Sequence, residues 1–292
     1  MEKMYNHQLS FWGMKLVVAL SMALPIALLI ACDSTENEPT IPTVVEQGFV
    51  QTKEYYYPID KLTVPKVYEY SMVYEGEYYI DQYWEVKRSE RDGATHLQMQ
   101  GYNPLFQQNM YTEELILDDG VLTQKYDMLQ LDSATQELRR YPNTLTQSII
   151  FPFRTATDSQ MVYRYETTSK TPPQFITTKL VRDRKFKEFS TFDYQGKMYE
   201  AAIFSIKNLY DIEDKENGGF WNMKAEGEEI YAKGLGLVQK RTVNDQGEVS
   251  LEQLTNVYSL AEFEEKMKNA EMKNAEMKNA EMKNAEIKND LH

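Results

Sequence analysis

Residues 67–87 read VYEYSMVYEGEYYIDQYWEVK, and this stretch decides the fold class. In its first half, one set of side chains shares a face of an extended chain: Tyr68, Tyr70, Met72 and Tyr74. Glu69 and Ser71 fall on the opposite face. In the second half, an apolar face opposes a more polar one: Tyr78, Ile80, Trp84 and Val86 against Tyr79, Asp81, Tyr83, Glu85 and Lys87. Alternation with a period of two residues is typical of strands, so the stretch predicts part of a sheet.

The same alternation continues from about Lys53 to Leu260. Turn signals interrupt it at Glu90–Gly93, Asp118–Gly120, Tyr194–Gly196 and Asn244–Gly247. Asp-Gly pairs are strong hairpin signals, because both central positions of the tight turn need a positive φ. We therefore predict an all-β domain built on one large curved antiparallel sheet or half-barrel of about ten or more strands, since a sheet that large must curl or close.

The first 32 residues predict export and a lipid anchor. Leu16–Ala31 is an uncharged apolar run that follows Lys15, and its 16 residues fall short of the roughly 20 that a membrane-spanning helix needs. The run matches the apolar core of a secretory signal. It ends in Leu29-Ile30-Ala31-Cys32, which resembles a bacterial lipobox, and Cys32 is the only cysteine in the chain. We predict a signal peptide over 1–31 and lipidation of Cys32, which makes membrane lipid the first partner.

Residues 32–52 read as an acidic, Pro-containing tether. Acidic residues directly after the cysteine resemble the surface-export signals of Bacteroidetes-type lipoproteins, whereas Asp33 alone resembles an inner-membrane retention signal of enteric bacteria. The overall composition favours the former. We therefore expect the cell envelope, with the outer membrane preferred and the leaflet left open.

A second resemblance lies near the end of the predicted sheet. Tyr231-Ala232-Lys233-Gly234-Leu235-Gly236-Leu237-Val238, with Gly196–Ile206 upstream, resembles the penultimate hairpin of uncharacterised bacterial envelope lipoproteins. Their curved antiparallel sheet is similar to that of lipoprotein-carrier half-barrels. The resemblance implies a fold and an envelope location, and it carries no catalytic residues. Gly234 and Gly236 are expected where a strand bends or bulges.

Composition argues against several kinds of chemistry. The net charge of −13 disfavours nucleic acid as a partner, and one cysteine with three histidines leaves few soft metal ligands. His96 follows a turn in a predicted strand, where a structural role is the usual one. The acidic segment Asp211–Gly219 reads as a solvated loop, with a weak Ca²⁺ site as the alternative. We predict no catalytic residue, no cofactor and no metal site.

Residues 261–292 form a tail with a five-residue repeat, Met-Lys-Asn-Ala-Glu, that begins at Met267. Ser259 is a candidate N-cap for a helix. Methionines five residues apart spiral around such a helix and form no fixed apolar face. The repeat therefore predicts an exposed, dispensable helix after a β domain that spans 53–260.

Together these features predict a membrane-anchored envelope lipoprotein that is not an enzyme. We predict a binding or structural role. If the protein binds a ligand, we expect an apolar molecule or a lipid on the concave face of the sheet. Two alternatives stay open, a carboxylate-dependent carbohydrate-active enzyme and a non-catalytic subunit of an envelope complex.

Overall fold

The computed structural model describes residues 48–132, 135, 137–157, 162–171 and 176–289. The predicted signal peptide and Cys32 lie outside the described residues. Within these ranges the chain is all-β apart from two short 3-10 helices, Lys53–Tyr55 and Ile59–Lys61, and one C-terminal α-helix. No helix in this part of the chain has the length and apolarity to cross a membrane.

The described residues form fifteen strands and one α-helix, with the following bounds. They are β1 Phe49–Gln51, β2 Lys66–Tyr74, β3 Glu77–Arg91, β4 Ala94–Tyr102, β5 Gln108–Ile116, β6 Gly120–Leu131, β7 Leu138–Pro142, β8 Thr144–Pro152, β9 Arg154–Ala156, β10 Tyr163–Thr171, β11 Ile176–Tyr194, β12 Lys197–Asp214, β13 Gly219–Ala232, β14 Gly236–Asn244, β15 Val249–Ser259 and α1 Leu260–Asn289. Strand pairing begins at Phe49, which is earlier than the predicted start of the domain at Lys53.

Thirteen strands make one antiparallel sheet in the order β5-β4-β3-β2-β15-β14-β13-β12-β11-β10-β8-β6-β7. β5 also pairs with β6, so the series of pairings leads from one end of this order back to the other. β1 and β9 form a separate two-stranded sheet. The prediction of a large curved antiparallel sheet is confirmed, and the sheet is nearly closed.

Two of the hairpin turns follow the predicted chemistry. Asp92 and Gly93 join β3 to β4 with φ of 55° and 75°, and Gln195 and Gly196 join β11 to β12 with φ of 55° and 78°. The positive-φ pair is Asp-Gly in the first turn, as the sequence predicts for a tight primed turn, and Gln-Gly in the second. The predicted Asp119-Gly120 turn between β5 and β6 has no positive φ at either residue.

The Gly-containing segment that carries the lipoprotein resemblance is the β13–β14 hairpin. Gly234 lies in its turn with φ +76°, and Gly236 starts β14 with φ +91°. The pairing register shifts by one residue next to this turn, between Ile230 and Tyr231. Gly236 also faces the ring of Tyr57, where an added Cβ would lie 3.1 Å from the ring. The register shift leaves Val238 of β14 without a partner on β13, so the bulge lies two residues after Gly236, whereas Gly234 lies in the turn and Gly236 begins the strand.

The concave side of the sheet is filled at one end by an aromatic core. Residues 52–62, which we call the inner segment, cross this side, and Tyr56, Tyr57 and Leu62 are buried there. The Tyr56 ring packs 4.9 Å, centroid to centroid, from Phe151 of β8. Tyr57 contacts Tyr68 of β2 in the same way at 5.0 Å. Because it touches distant strands of the sheet, the inner segment closes much of this end.

The convex side carries a second cluster, which the sequence did not predict. The start of α1 is capped by Ser259, whose backbone N–H donates to Glu262 at 2.6 Å, and the Glu262 N–H donates back to the Ser259 hydroxyl. Phe263 is buried against Tyr83, with ring centroids 5.3 Å apart. Lys266 pairs with Glu69 of β2. The predicted exposed helix is therefore wrong for its first turns, and Tyr83, predicted on the more polar face, is buried because the helix covers it.

Candidate functional site

The concave side also holds a cavity of about 490 Å³ beside the aromatic core. Tyr56 and Tyr57 of the inner segment line it, together with side chains from most strands of the main sheet. Its lining changes character from one arc of the sheet to the next.

One arc carries ionic side chains, which we call the charged wall. Its members lie on β11, β13, β14 and β15: Arg182, Arg184, Glu229, Lys240 and Glu252. Arg184 donates from Nε to Glu229 at 2.8 Å, and its Nη2 lies 2.6 Å from the same carboxylate. Arg182 Nη1 lies 3.3 Å from the other oxygen of Glu229, and Lys240 pairs with Glu252. The charged wall therefore consists of an Arg182–Glu229–Arg184 cluster and, beside it, a Lys240–Glu252 pair.

Glu229 is the centre of the charged wall. Burial would raise the pKa of this carboxyl, but the charges of Arg184 and Arg182 outweigh that effect and lower the pKa to about 2. The Tyr231 hydroxyl donates to Glu229 at 3.2 Å. Burial in turn raises the pKa of Tyr231 well above its ordinary value, so this phenol stays protonated as a donor. Glu229 is thus a permanently ionised, fully engaged acceptor.

The neighbouring arc, β2 to β5, contributes what we call the apolar wall: Met72, Trp84, Met99 and Met110. Polar exceptions on the same strands are Gln82, Thr112 and Glu114. The remaining arc, β6 to β10, presents mostly hydroxyl groups: Thr123, Tyr126, Tyr165, Thr167 and Ser169. The cavity is therefore amphipathic, with its ionic and apolar sides on different strands.

Glu114 is the titratable group of the cavity with a pKa near neutrality. Its carboxylate accepts a hydrogen bond from the Tyr56 hydroxyl at 2.6 Å. Burial raises the pKa of Glu114 to about 7, against the opposing effects of the Tyr56 hydrogen bond and the charge of Arg184. Below that pH the side chain is largely neutral, so the charged wall then faces no third carboxylate charge.

The raised pKa of Glu114 predicts a pH-dependent stability. The folded state holds the proton up to about pH 7, whereas the unfolded carboxyl releases it near 4.5, so the free energy of unfolding falls as pH rises through this window. The unmodified chain should lose about 3 kcal/mol of its free energy of unfolding between pH 4.5 and 8. Glu114→Gln, whose side-chain carbonyl can still accept from Tyr56, should not show this loss. Urea unfolding at several pH values measures it. Glu90→Gln, at an exposed carboxylate, is the matched control, and parallel curves for Glu114→Gln and the unmodified chain would contradict the assignment.

His96 lies on the face of β4 opposite the core residue Leu97, outside the cavity. Its Nδ1 is 3.7 Å from Glu113 and has no hydrogen-bond partner among the described residues. Glu113 is buried, yet its pKa is lowered to about 2, because Arg91 and Lys125 outweigh the effect of burial. Arg91 and Lys125 are about half exposed, so these contacts form a cluster around the buried Glu113 that joins β3, β4, β5 and β6.

The acidic segment Asp211–Gly219 closes the β12–β13 hairpin. Asp214 accepts hydrogen bonds from the backbone N–H groups of Glu216 and Asn217, both at 3.1 Å, and from the Asn217 amide at 2.7 Å. Asp211 accepts from Asn222 across the pair of strands. Within the described ranges, no group of three or more His, Cys, Asp or Glu side chains is placed to hold a metal. Asp211–Asp214 belong to β12 and Gly219 starts β13, so the predicted loop is limited to the turn over 215–218, which the Asp214 carboxylate shapes.

The sequence prediction named none of the charged wall. A signal was present in the parity of β11, where Thr178, Leu180, Arg182, Arg184 and Phe186 share one face. Phe186 lies in the core, so the arginines at the same parity must face inward. Charged residues at inward positions of a strand indicate a polar interior.

Comparison with protein-family models and with curated proteins finds no match. Among solved structures, a candidate lipoprotein from Parabacteroides distasonis matches with a TM-score of 0.46 and 12% identity, over 70% of this chain and 98% of its own. A candidate exported protein with a YmcC-like fold from Bacteroides fragilis matches with a TM-score of 0.45 and 13% identity, over 70% of this chain and 99% of its own. At these identities the likeness concerns the fold alone. One neighbour is thus a candidate lipoprotein and the other a candidate exported protein, which are the classes that the resemblance of the β13–β14 hairpin named.

Proposed function

We propose that this chain is a ligand-binding lipoprotein of the bacterial envelope, held on the outer membrane by acyl chains on Cys32, with no catalytic activity of its own. The cavity of about 490 Å³ carries the binding half of the proposal, because the inner segment fills one end of the concave side and leaves this space open. Its volume lies in the range of about 300–1,000 Å³ that is usual for small-molecule sites. The apolar run before Cys32 supports the anchoring half.

Metabolic labelling with an alkyne palmitate analogue tests the anchor. The unmodified chain should incorporate the label and sediment with membranes, whereas Cys32→Ala should do neither, because the thiol is the acceptor. A chain that stays unlabelled while a known lipoprotein in the same cells is labelled would overturn this half. Native mass spectrometry of the chain from its own host tests the binding half, and a spectrum without a non-covalent adduct would overturn it.

A specific observation favours a second candidate function, a carboxylate-dependent carbohydrate-active enzyme. Glu114 and Glu229 line the same cavity with pKa values near 7 and near 2, and a protonated and an ionised carboxyl are the pair that such enzymes use. Glu229 is, however, held by Arg182, Arg184 and Tyr231, which leaves it poorly placed to act as a nucleophile. Glycan turnover that Glu114→Gln abolishes without loss of fold would favour the enzyme over the binding protein.

A third candidate, a subunit of an envelope complex, is favoured by exposed aromatic side chains on two hairpins. Tyr78 and Tyr79 on β3, and Phe220 and Trp221 on β13, are exposed. Tyrosine and tryptophan are enriched at protein interfaces. Cross-linking in whole cells that depends on Trp221 would support this role.

A further inference from the structure

We propose that the ligand of the cavity is a single-chain amphiphile with an anionic head group, whose head lies on the charged wall and whose hydrocarbon chain lies on the apolar wall. This inference rests on the proposed binding function and adds the chemical class of the ligand.

The charged wall has cationic donors that its own carboxylates do not occupy. Arg182 donates from Nε to Asn208 at 2.8 Å and from Nη1 towards Glu229 at 3.3 Å, and within the described part of the chain its Nη2 has no partner. Lys240 has one partner, Glu252, among the described residues, although an ammonium carries three N–H donors. Both side chains line the cavity. Both side chains are partly exposed, so their free donors are open to the cavity, and an anionic head group would accept from them.

The balance of charge points the same way. Below about pH 7, where Glu114 is largely neutral, the cavity lining has two other carboxylates, Glu229 and Glu252, against the three cations of the charged wall. The whole chain carries a net charge of −13, so a local excess of positive charge in the cavity is opposite in sign to the charge of the chain as a whole. At partly buried positions such as those of Arg182 and Lys240, an excess of positive charge attracts an anion more strongly than it would on the open surface.

Thr167 provides an independent indication of a polar ligand. It lines the cavity, and its buried hydroxyl makes no hydrogen bond of good geometry in the described part of the chain, with Tyr165 as the polar group beside it. A buried hydroxyl without a partner costs free energy, so such a group indicates a missing acceptor or donor. A head group that extends to the β6–β10 side of the cavity would give the Thr167 hydroxyl a hydrogen-bond partner.

The apolar wall fits a flexible chain better than a rigid ring system. Met72, Met99 and Met110 have unbranched, adaptable side chains, and Trp84 adds a flat surface beside them. A wholly apolar ligand would cover Arg182 without supplying an acceptor, which is unfavourable. A cationic amphiphile would meet three like charges.

Isothermal titration of the mature chain, residues 32–292, with Cys32→Ser to avoid detergent, tests the inference with four probes that share a ten-carbon chain: decanoate, monodecyl phosphate, decan-1-ol and decyltrimethylammonium. The better of the two anions should bind about ten-fold or more tightly than decan-1-ol, and the cation should bind weakest. Which anion binds better distinguishes a carboxylate from a phosphate head group. Equal binding of anion and alcohol would overturn the inference and leave the proposed function intact, whereas no binding of any probe would overturn both.

Variants locate the head group. Arg182→Gln leaves Glu229 paired with Arg184, so the fold should persist, and we expect about a ten-fold loss of affinity for the anion with little change for decan-1-ol. Lys207→Met, on the exposed face of β12 where Lys207 pairs with Glu226, is the matched control and should change neither. A loss of anion affinity that is as large for Lys207→Met would show attraction by the general surface charge and would overturn the assignment.

Discussion

Replacing Glu229 by glutamine should lower the free energy of unfolding by about 3–5 kcal/mol. Glutamine keeps the shape of the side chain and removes its charge, so Arg184 is left buried without a counter-charge. Arg182 loses its ion pair in the same change. The cost comes mainly from an uncompensated buried cation, because that group has lost its hydration and gains nothing in return.

Urea unfolding at neutral pH measures this effect, and the same strand supplies the control. Glu226 also lies on β13, but it is exposed and pairs with exposed Lys207, so Glu226→Gln should cost at most about 1 kcal/mol. The double variant Arg184→Met/Glu229→Met removes both charges and should recover much of the loss. If Glu229→Gln and Glu226→Gln had equal effects, the charged wall would be hydrated rather than buried.

Phe151→Ala should also destabilise the domain by about 3–5 kcal/mol, because it opens a hole where the inner segment meets the sheet. The Phe151 ring is fully buried, and its centroid lies 4.9 Å from that of Tyr56, 5.2 Å from that of Phe204 and 4.7 Å from that of Tyr231. These three rings belong to the inner segment, β12 and β13, so Phe151 of β8 contacts all three elements at once.

Ile149 on the same strand is 37% exposed and serves as the control, with an expected loss of about 1 kcal/mol or less for Ile149→Ala. Chemical denaturation of the two variants side by side gives the comparison. A small effect of Phe151→Ala, similar to that of Ile149→Ala, would mean that the aromatic core collapses to refill the space. It would contradict a tightly packed inner segment.

The strands were predictable because alternation and turn chemistry are local properties. The apolar set that begins at Tyr68 and Tyr70 and the positive-φ pair Asp92-Gly93 are both visible within a few residues of sequence. Tyr83 was misplaced because its burial depends on Phe263, which is distant in the chain and belongs to a helix. A contact with a helix on the convex face does not change the two-residue alternation of the strand, so the sequence around Tyr83 does not reveal it.

The charged wall could not be predicted from the sequence for a related reason. Arg184 and Glu229 lie on strands that are not adjacent, with β12 between them, and they meet only through the register of three paired strands. One shifted residue in either pairing would turn one of the two side chains to the other face. The bulge between Phe186 and Glu188 shows that such shifts occur in this sheet, and no single-sequence pattern fixes their position.

The pairing of β2 with β15 has a consequence for how the molecule is made. Most strands pair with a close neighbour in the chain, but this contact joins Tyr74 to Ser250, far apart in sequence. Contacts of that kind form slowly, because a long loop must be ordered first. A chain that is still incomplete therefore presents two unpaired strand edges, β2 and β14, until β15 is available to pair with both. Unpaired edges can associate with other chains, so on the proposed route of export we expect a chaperone to be needed during that interval.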